Sequence, residues 1–587
     1  MRKLYQIILI ALAVSISVNA DAQRLKVKER HGEIVKSKRM LLSDFEPSAG
    51  GEYIMTSPIA KMQKAAWIKY SNIKIGYDLM VTTFDDKLNE VADNEIELNY
   101  GNKRCSYESL VKFGGRYLLF FSYGNLKRNK FYLFYHEIDP ETGEIEGSTY
   151  KVAETKMGRK GYSDPKMIIK RSPDKSKLVI LGIPPQRLPK RSFFGRNPNS
   201  SESESSGGYA TMSFWVMNRQ METVNYQKNY KMSLEGKGKF YITDVKVAND
   251  NSVFVIGQNR QQEFLNKPER KKKKTKSRST IKKLAYLINK VDQSGEEVSY
   301  VTEEEILLQD MEFEFSPDGQ HLYGMGLVGE EFENMFLTKR TYVLKLSTEN
   351  LDEISAEEFP YDDVVYEQSQ RSLEEVTKNR RKEKKKKKEK PKKKYAFGKK
   401  AIELPKDYVP NLKNVVGIIF DKDGNPMMVA EKKWVVIVTT TTTNSNGTTS
   451  SVTNYYYHYG DAIIAKFDGA DVTSNIVRKH GWLANYDIGN GMSLNSNDEG
   501  LFMLANNAVF KVDFENMEVS STRFGLYNRK GRPLKKERKT RATKGDDYPL
   551  VDVGNYSLTH ATPSGPNKFI CKQIFGTKRY RIVEVSY

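Results

Sequence analysis

One unit recurs along this chain: four to six residues with alternating apolar positions, a tight turn rich in Asp, Asn, Gly or Pro, and then a strongly apolar strand. The clearest copy is MEFEFSPDGQHLYGMGLV, from Met311 to Val328. Others start at Ser109 (SLVKFGGRYLLFFSY), Lys166 (KMIIKRSPDKSKLVILGI), Ile242 (ITDVKVANDNSVFVIGQ), Val415 (VVGIIFDKDGNPMMVAE), Gly491 (GMSLNSNDEGLFMLAN) and Tyr556 (YSLTHATPSGPNKFICKQ), with a weaker one at Leu42. Most are followed by a second hairpin opened by a strand such as FYLFYHEID or TYVLKLST. Two hairpins make a four-stranded antiparallel sheet, and a series of such sheets buries its faces only by stacking on neighbours. The fold class expected is therefore all-β, a β-propeller of four-stranded blades. Helical periodicity is scarce, Ile59 to Tyr70 being the one modest candidate.

Eight first hairpins predict eight blades. The last unit runs out at Tyr587 one strand short, and a strand from within Leu25 to Val35 would complete it, placing both chain ends in one blade. Were Leu42 to Ser57 irregular, seven blades would remain. Ser316-Pro317-Asp318-Gly319 followed by QHLYGMG resembles the repeat of TolB-type, WD40-like propellers, in which this turn joins the two inner strands of a blade. Ser172-Pro173-Asp174 and Asp423-Gly424 match it in part. That repeat family holds periplasmic interaction proteins and the propeller domains of peptidases. The peptidases would need an α/β-hydrolase domain with a G-x-S-x-G elbow, and the sequence has no such motif.

The chain opens MRKLYQIILIALAVSISVNADAQ, with Arg2 and Lys3 before an apolar run from Ile7 to Val18 and then Ala20-Asp21-Ala22. This is the pattern of a secretory signal peptide over residues 1–22, leaving a single propeller domain over 23–587. The expected location is the periplasm or the exterior of a Gram-negative bacterium, which makes chromosomal nucleic acid a poor partner. Two cysteines, Cys105 and Cys571, exclude a Cys-ligated zinc site; they either form one disulfide or stay free and buried.

The formal charge of +21 is concentrated. Residues 267–283, 378–400 and 529–544 together carry +30, so the rest of the chain carries −9. With blade strands lettered a to d from the axis outward, a-b and c-d turns lie on one face and b-c and d-a connections on the other. The three basic segments fall in the second kind of connection, as do the insertions at about 184–208 and 435–460. The last reads as a long hairpin around Asn446-Gly447. Long loops on a rigid scaffold commonly bind, so this face is the expected binding face. Lys271, Lys272, Lys384, Lys386, Lys388, Lys535, Lys536 and Arg538 would attract an acidic polymer, an envelope component or an acidic protein, with Tyr456 and Tyr457 as contacts. Solvated loops without function have the same composition.

Catalytic and cofactor signals are thin. The histidines (His31, His136, His321, His458, His480, His560) have no ligand spacing, and no cofactor motif is present. Asp421, Asp423 and Asn425 in DKDGN resemble part of a calcium loop, but the spacing is incomplete and no closing Glu follows, so a simple hairpin turn is the expected reading. The expectation is a non-enzymatic binding module. The alternatives are a propeller enzyme acting on polysaccharide, recognisable by carboxylates gathered on the innermost strands, and a scaffold subunit of an envelope complex.

Overall fold

The computed structural model describes residues 25–36, 44–47, 52–59, 78–157, 164–185, 209–233, 239–264, 279–302, 308–332, 335–369, 407–443, 449–479, 482–484, 491–505, 508–523, 556–574 and 579–587. They form eight four-stranded antiparallel sheets arranged as a β-propeller, and the seven-blade alternative falls. Seven sheets are successive meanders, spanning 44–96, 106–156, 166–233, 239–301, 308–360, 412–477 and 493–523. The eighth takes three strands from the C-terminus, Tyr556–Gly565, Lys568–Ile574 and Arg579–Ser586, and its fourth from the N-terminus, Lys28–His31. That strand runs antiparallel to Arg579–Ser586, with Lys28 opposite Ser586 and His31 opposite Val583. Arg30 pairs with Glu584 at 2.9 Å, and the Gly32 N–H donates to the Ile582 carbonyl at 2.9 Å. Helix is confined, among the described residues, to 363–369; the helical candidate at 59–70 lies outside them apart from Ile59, which ends the strand Tyr53–Ile59.

By its contacts the chain divides into two compact units. The larger is Lys38–Tyr361 with Leu404–Phe420, and the smaller is Met1–Ser37 with Asp362–Glu403 and Asp421–Tyr587. In the larger unit the period of two along each strand feeds two cores at once. Tyr117, Leu119 and Phe121 of the strand Arg116–Asn125 turn to one face and pack with Ile54, Leu79 and Val81 of the first sheet. Leu118 and Phe120 turn to the other and pack with Leu178, Ile180 and Trp215 of the third. A sheet sandwiched in this way needs inner strands that are apolar throughout, and Leu178–Ile183 (LVILGI) is buried at every position. Each such Phe or Leu contributes about 1.5 to 3 kcal/mol by leaving water. In the smaller unit Phe502, Leu504 and Val509 of the seventh sheet pack with Phe569, Cys571 and Val583 of the eighth, and Leu25 and Val27 of the N-terminal segment join them.

Cys571 and Cys105 are both free and buried, each within its own hydrophobic cluster. The disulfide alternative therefore gives way to two free thiols. Burial pushes each up to about 12, so both are protonated and inert near neutral pH.

The a-b turns show why the S-P-D-G sequence recurs. Ser316 Oγ accepts the His321 N–H at 2.9 Å, Asp318 accepts the Gln320 N–H at 3.0 Å, and Gly319 takes a φ of 73°. Ser172 repeats the scheme, accepting the N–H groups of Ser176 and Lys177 at 3.1 and 2.9 Å. Here, however, Lys175 stands in the left-handed region, at φ 56°. A side chain there costs roughly 1 to 2 kcal/mol. Lys175→Gly is accordingly expected to raise unfolding stability by about 1 kcal/mol and Gly319→Ala to lower it by a similar amount, as read from denaturant midpoints.

Candidate functional site on the charged first strands

The first strands of consecutive sheets touch in the larger unit: Asp44–Pro47 meets Ser106–Phe113, Lys166–Arg171 meets Lys239–Val247, and Leu308–Phe315 meets Leu412–Phe420. Edge strands of a sheet are ordinarily where a chain exposes polar groups, and these strands alternate apolar with ionisable residues (MEFEF, TDVKV, IIKR). Their apolar members enter the cores between sheets, as Met311, Phe313 and Phe315 do. The alternate members, among them Asp310, Glu312 and Glu314, are carried together where the strands meet.

The result is a chain of ionic and polar contacts from sheet to sheet. Arg171 of the third sheet donates to the Lys112 carbonyl of the second at 3.0 Å and lies 4.0 Å from Glu46 of the first. Lys112 donates to the Pro47 carbonyl at 3.1 Å. Lys170 lies 3.6 Å from Asp244 of the fourth sheet. Lys246 bridges Asp244 at 3.7 Å and Glu314 of the fifth at 2.7 Å. Asp310 accepts the Val415 N–H of the next first strand at 2.8 Å. Burial alone would favour loss of the Lys246 proton, but Glu314 and Asp244 overcome it and raise its pKa. Burial is also the main cause that raises Glu46, with Arg171 and Lys112 opposing it.

Glu312 differs from its neighbours. No hydrogen bond or ion pair within 4 Å reaches its carboxyl among the described residues, although Asp310, Asp244, Lys246 and Lys170 act on it through space. Burial, reinforced by Asp310 and Asp244, pushes it up to about 7. It is thus a half-buried carboxyl that exchanges a proton near neutrality, the property a general acid or base requires. The carboxylates do not form a metal cage: among the described residues no group of three or more His, Cys, Asp or Glu is placed to hold a cation.

In the smaller unit the first strands of the seventh and eighth sheets meet through neutral groups instead. Ser493 donates to the Ala561 carbonyl at 2.8 Å, and Asn495 donates to the Gly565 carbonyl and the Tyr587 hydroxyl at 2.7 Å each. Ionic first strands thus belong to the larger unit.

The expected binding residues have a different fate. Lys271, Lys272, Lys384, Lys386, Lys388, Lys535, Lys536 and Arg538 lie outside the described residues. Their attachment points are described. Residues 186–208 and 265–278 each join the second and third strands of a sheet in the larger unit. In the smaller unit 444–448 do the same and the 529–544 run precedes a first strand, while the 378–400 run precedes Leu412–Phe420, a first strand of the larger unit. Because meander strands alternate direction, these connections leave the same end of the sheets within each unit.

The 435–460 insertion is a ribbon continuing two strands of the sixth sheet, Pro426–Thr443 and Thr449–Asp468. The register shifts between Glu431 and Lys433, where the ribbon leaves the body of the sheet. At that shift Glu431 and Lys479 form an ion pair with both side chains essentially inaccessible. The Gly491 N–H donates to the other Glu431 oxygen at 2.9 Å. A Cβ on Gly491 would stand 2.5 Å from Glu431, so only glycine closes this site. Lys432 and Asp461 lie alongside, 3.9 Å apart. Further out Tyr457 pairs with Val435 and is half-buried, and Tyr456 pairs with Val436, its side chain lying outside the described residues. DKDGN forms the expected hairpin turn. Asp421 caps the turn by accepting the N–H groups of Asp423 and Asn425 at 2.9 and 2.8 Å, and Lys466 sits 2.7 Å from its other oxygen, supplying the positive charge there.

Sequence inspection missed the first-strand cluster and Glu312. A signal was present: charged residues alternate with apolar ones on the strands before the a-b turns, whereas the following strands are apolar throughout.

No family model matches this chain, and no curated protein matches it. Solved structures similar to it include the β-propeller domain of the trilobed protease from Pyrococcus furiosus, at 9% identity over 82% of this chain and 95% of that one, with a TM-score of 0.27. Others are Penicillium chrysogenum α-L-arabinanase (10% identity, 57% of this chain, 98% of that chain, TM-score 0.27) and Pyrococcus horikoshii acylaminoacyl peptidase (9%, 81%, 59%, TM-score 0.29). At such values these similarities carry no argument about activity.

The raised Glu312 carboxyl makes stability depend on pH. Between its ordinary value of 4.5 and about 7 the folded chain holds a proton that the unfolded chain has released. Stability contributed by this group therefore falls as pH rises through that window and levels off above it. Glu312→Gln is expected to be more stable than the parent by about 2 kcal/mol at a pH of about 8 and to show no gain at about 4, measured by denaturant unfolding at both pH values.

Proposed function

We propose that this protein is an exported β-propeller that binds a polyanionic envelope component or polymer through the long basic connections at one end of its sheets. The observation that carries the reading is the strand order: the long insertions fall between second and third strands or before first strands, while the a-b and c-d turns are short and closed by Asx and Ser caps. A rigid scaffold that keeps one set of turns minimal and lengthens the other presents one end to a partner. The 378–400 run is dominated by Lys, a point charge without the bidentate fork of Arg. That composition suits attraction to a distributed negative charge more than recognition of one phosphate. Kinship with TolB-type repeats, from the Ser316 to Gly319 turn, and export, from residues 1–22, belong to the same reading.

A second reading is favoured by Glu312 among Asp244, Asp310 and Glu314. In it the propeller hydrolyses a polysaccharide, with Glu312 donating or accepting the proton at the glycosidic oxygen and a neighbouring carboxylate acting opposite.

One set of measurements tests both. The mature chain and a variant lacking 378–394 are titrated with an anionic polysaccharide at low and high salt, and released reducing ends are followed with Glu312→Gln alongside. The binding reading expects affinity to fall roughly tenfold or more between low and high salt, and equally on deletion, with unchanged melting temperature. Salt-independent binding that survives the deletion overturns it. Turnover abolished by Glu312→Gln would transfer the function to the first strands.

A further inference from the structure

Two hairpins of the larger unit stand at the end of the sheets from which the long connections leave. One joins the second and third strands of the second sheet, Arg116–Asn125 and Lys130–Ile138. Its tip, Leu126-Lys127-Arg128-Asn129, is fixed by the Asn129 N–H, which donates to the Leu126 carbonyl at 3.3 Å, and by the Arg128 N–H, which donates to the Asn125 side chain at 3.1 Å. The other lies in the connection between the first and second sheets, where Asn99–Tyr100 pairs with Lys103–Arg104 around Gly101 and Asn102. The Tyr100 ring stacks on Phe134 at 4.3 Å and lies 6.5 Å from Tyr123, both on the strands that lead to the first tip. The two hairpins therefore stand side by side.

Their side chains combine apolar exposure with uncompensated charge. Leu126 is 71% exposed, more than any other large apolar side chain among the described residues, and Tyr100 is 47% exposed. Around them Lys103, Arg104, Lys127 and Arg128 are all exposed, and no ion pair reaches these four among the described residues. The nearby acids are engaged elsewhere: Glu154 takes Lys130 at 2.9 Å, and Glu97 accepts the Asn99 side chain at 3.2 Å. At the opposite end of the second sheet the turn 139–144 holds Asp139, Glu141 and Glu144 and no cation, so the turns at its two ends are opposite in sign. A field of this kind orients a molecule toward a negative surface before contact is made.

We propose that these tips dock the larger unit on an anionic phospholipid bilayer, with Leu126 entering the boundary between headgroups and acyl chains, Tyr100 at headgroup level, and Lys103, Arg104, Lys127 and Arg128 against the lipid phosphates. The proposal deepens the binding reading, on which it rests for the end that faces the partner, and names the envelope component. Charge and apolarity together select this occupant. An acidic polysaccharide would answer the four cations, but it has no apolar phase to receive Leu126. A bilayer supplies both, since negative headgroups attract the cations and the acyl layer just beneath them takes up an apolar side chain. Tyrosine suits the level between, its ring being apolar along the body and polar at the tip. A tip already fixed by its own hydrogen bonds inserts with little further ordering.

The test is co-sedimentation of the full mature chain with vesicles of phosphatidylcholine alone and of phosphatidylcholine with phosphatidylglycerol. Beside it run Leu126→Ser, a Lys103→Gln/Arg104→Gln/Lys127→Gln/Arg128→Gln variant and the chain lacking 378–394. The substituted positions are all exposed, and unchanged thermal melts verify the folds. The expected result is binding of the parent to the anionic vesicles only, weakened about tenfold or more by Leu126→Ser, at least as much by the four-site variant, and still measurable after the deletion. Titration of the parent with an anionic polysaccharide in parallel reports on the binding reading separately. A parent that binds the polysaccharide but not the anionic vesicles overturns this inference and leaves that reading standing. So does vesicle binding that is lost on deletion of 378–394 and untouched by Leu126→Ser. A parent that binds neither overturns both.

Discussion

The contact on which the larger unit depends is the Lys246 ammonium held between Asp244 and Glu314. First strands of adjacent sheets approach closely, and a close approach of backbone edges leaves no room for a further apolar layer. Side chains there must be polar, and polar groups withdrawn from water must be paired. The chain meets this demand by spacing opposite charges along successive first strands, so that each sheet is tied to the next. Arg171 reaches both the first and second sheets, and Lys246 both the fourth and fifth. Exposed ion pairs contribute little; here Lys246, Asp244 and Glu46 are largely withdrawn from solvent while Glu314, Lys170 and Arg171 stay partly in it, so each pair has one member whose loss leaves a buried charge behind.

This lacing also explains why Glu312 is chemically distinct. Asp244 and Glu314 take Lys246, and Asp310 takes a backbone N–H, leaving Glu312 to feel its neighbours through space with no cation within pairing distance among the described residues. A proton is the cheapest way to neutralise it, and its shift toward neutrality follows from the pairing of the rest. The smaller unit joins its seventh and eighth first strands with Ser493 and Asn495 hydrogen bonds instead.

Much of the fold was legible because its information is local. The alternation of Leu118 and Phe120 with Leu119 and Phe121 declares a strand buried on two faces, and Ser316 to Gly319 declares the turn before the strand His321–Phe332. The missing strand at Tyr587 and a spare one near Leu25 declared the closure between the chain ends. The end from which insertions emerge follows from counting strands, which needs no tertiary contact. The first-strand cluster was illegible for the opposite reason. Lys170 with Asp244, and Lys246 with Glu314, are partners only once separate sheets have been stacked, and nothing within either strand names the other. The Glu431 and Lys479 pair is of the same kind, since it depends on a register shift at Lys432 that no residue type there announces.

The most direct test is a double-mutant cycle on Lys246 and Glu314. Lys246→Met, Glu314→Gln and the double variant are compared with the parent by denaturant unfolding near neutral pH. If the ionic lacing ties the sheets, the double variant should recover part of the loss, with a coupling of about 1 to 3 kcal/mol. Losses that add to within about 0.5 kcal/mol would show the pair to be decoration on a fold held by its apolar faces alone.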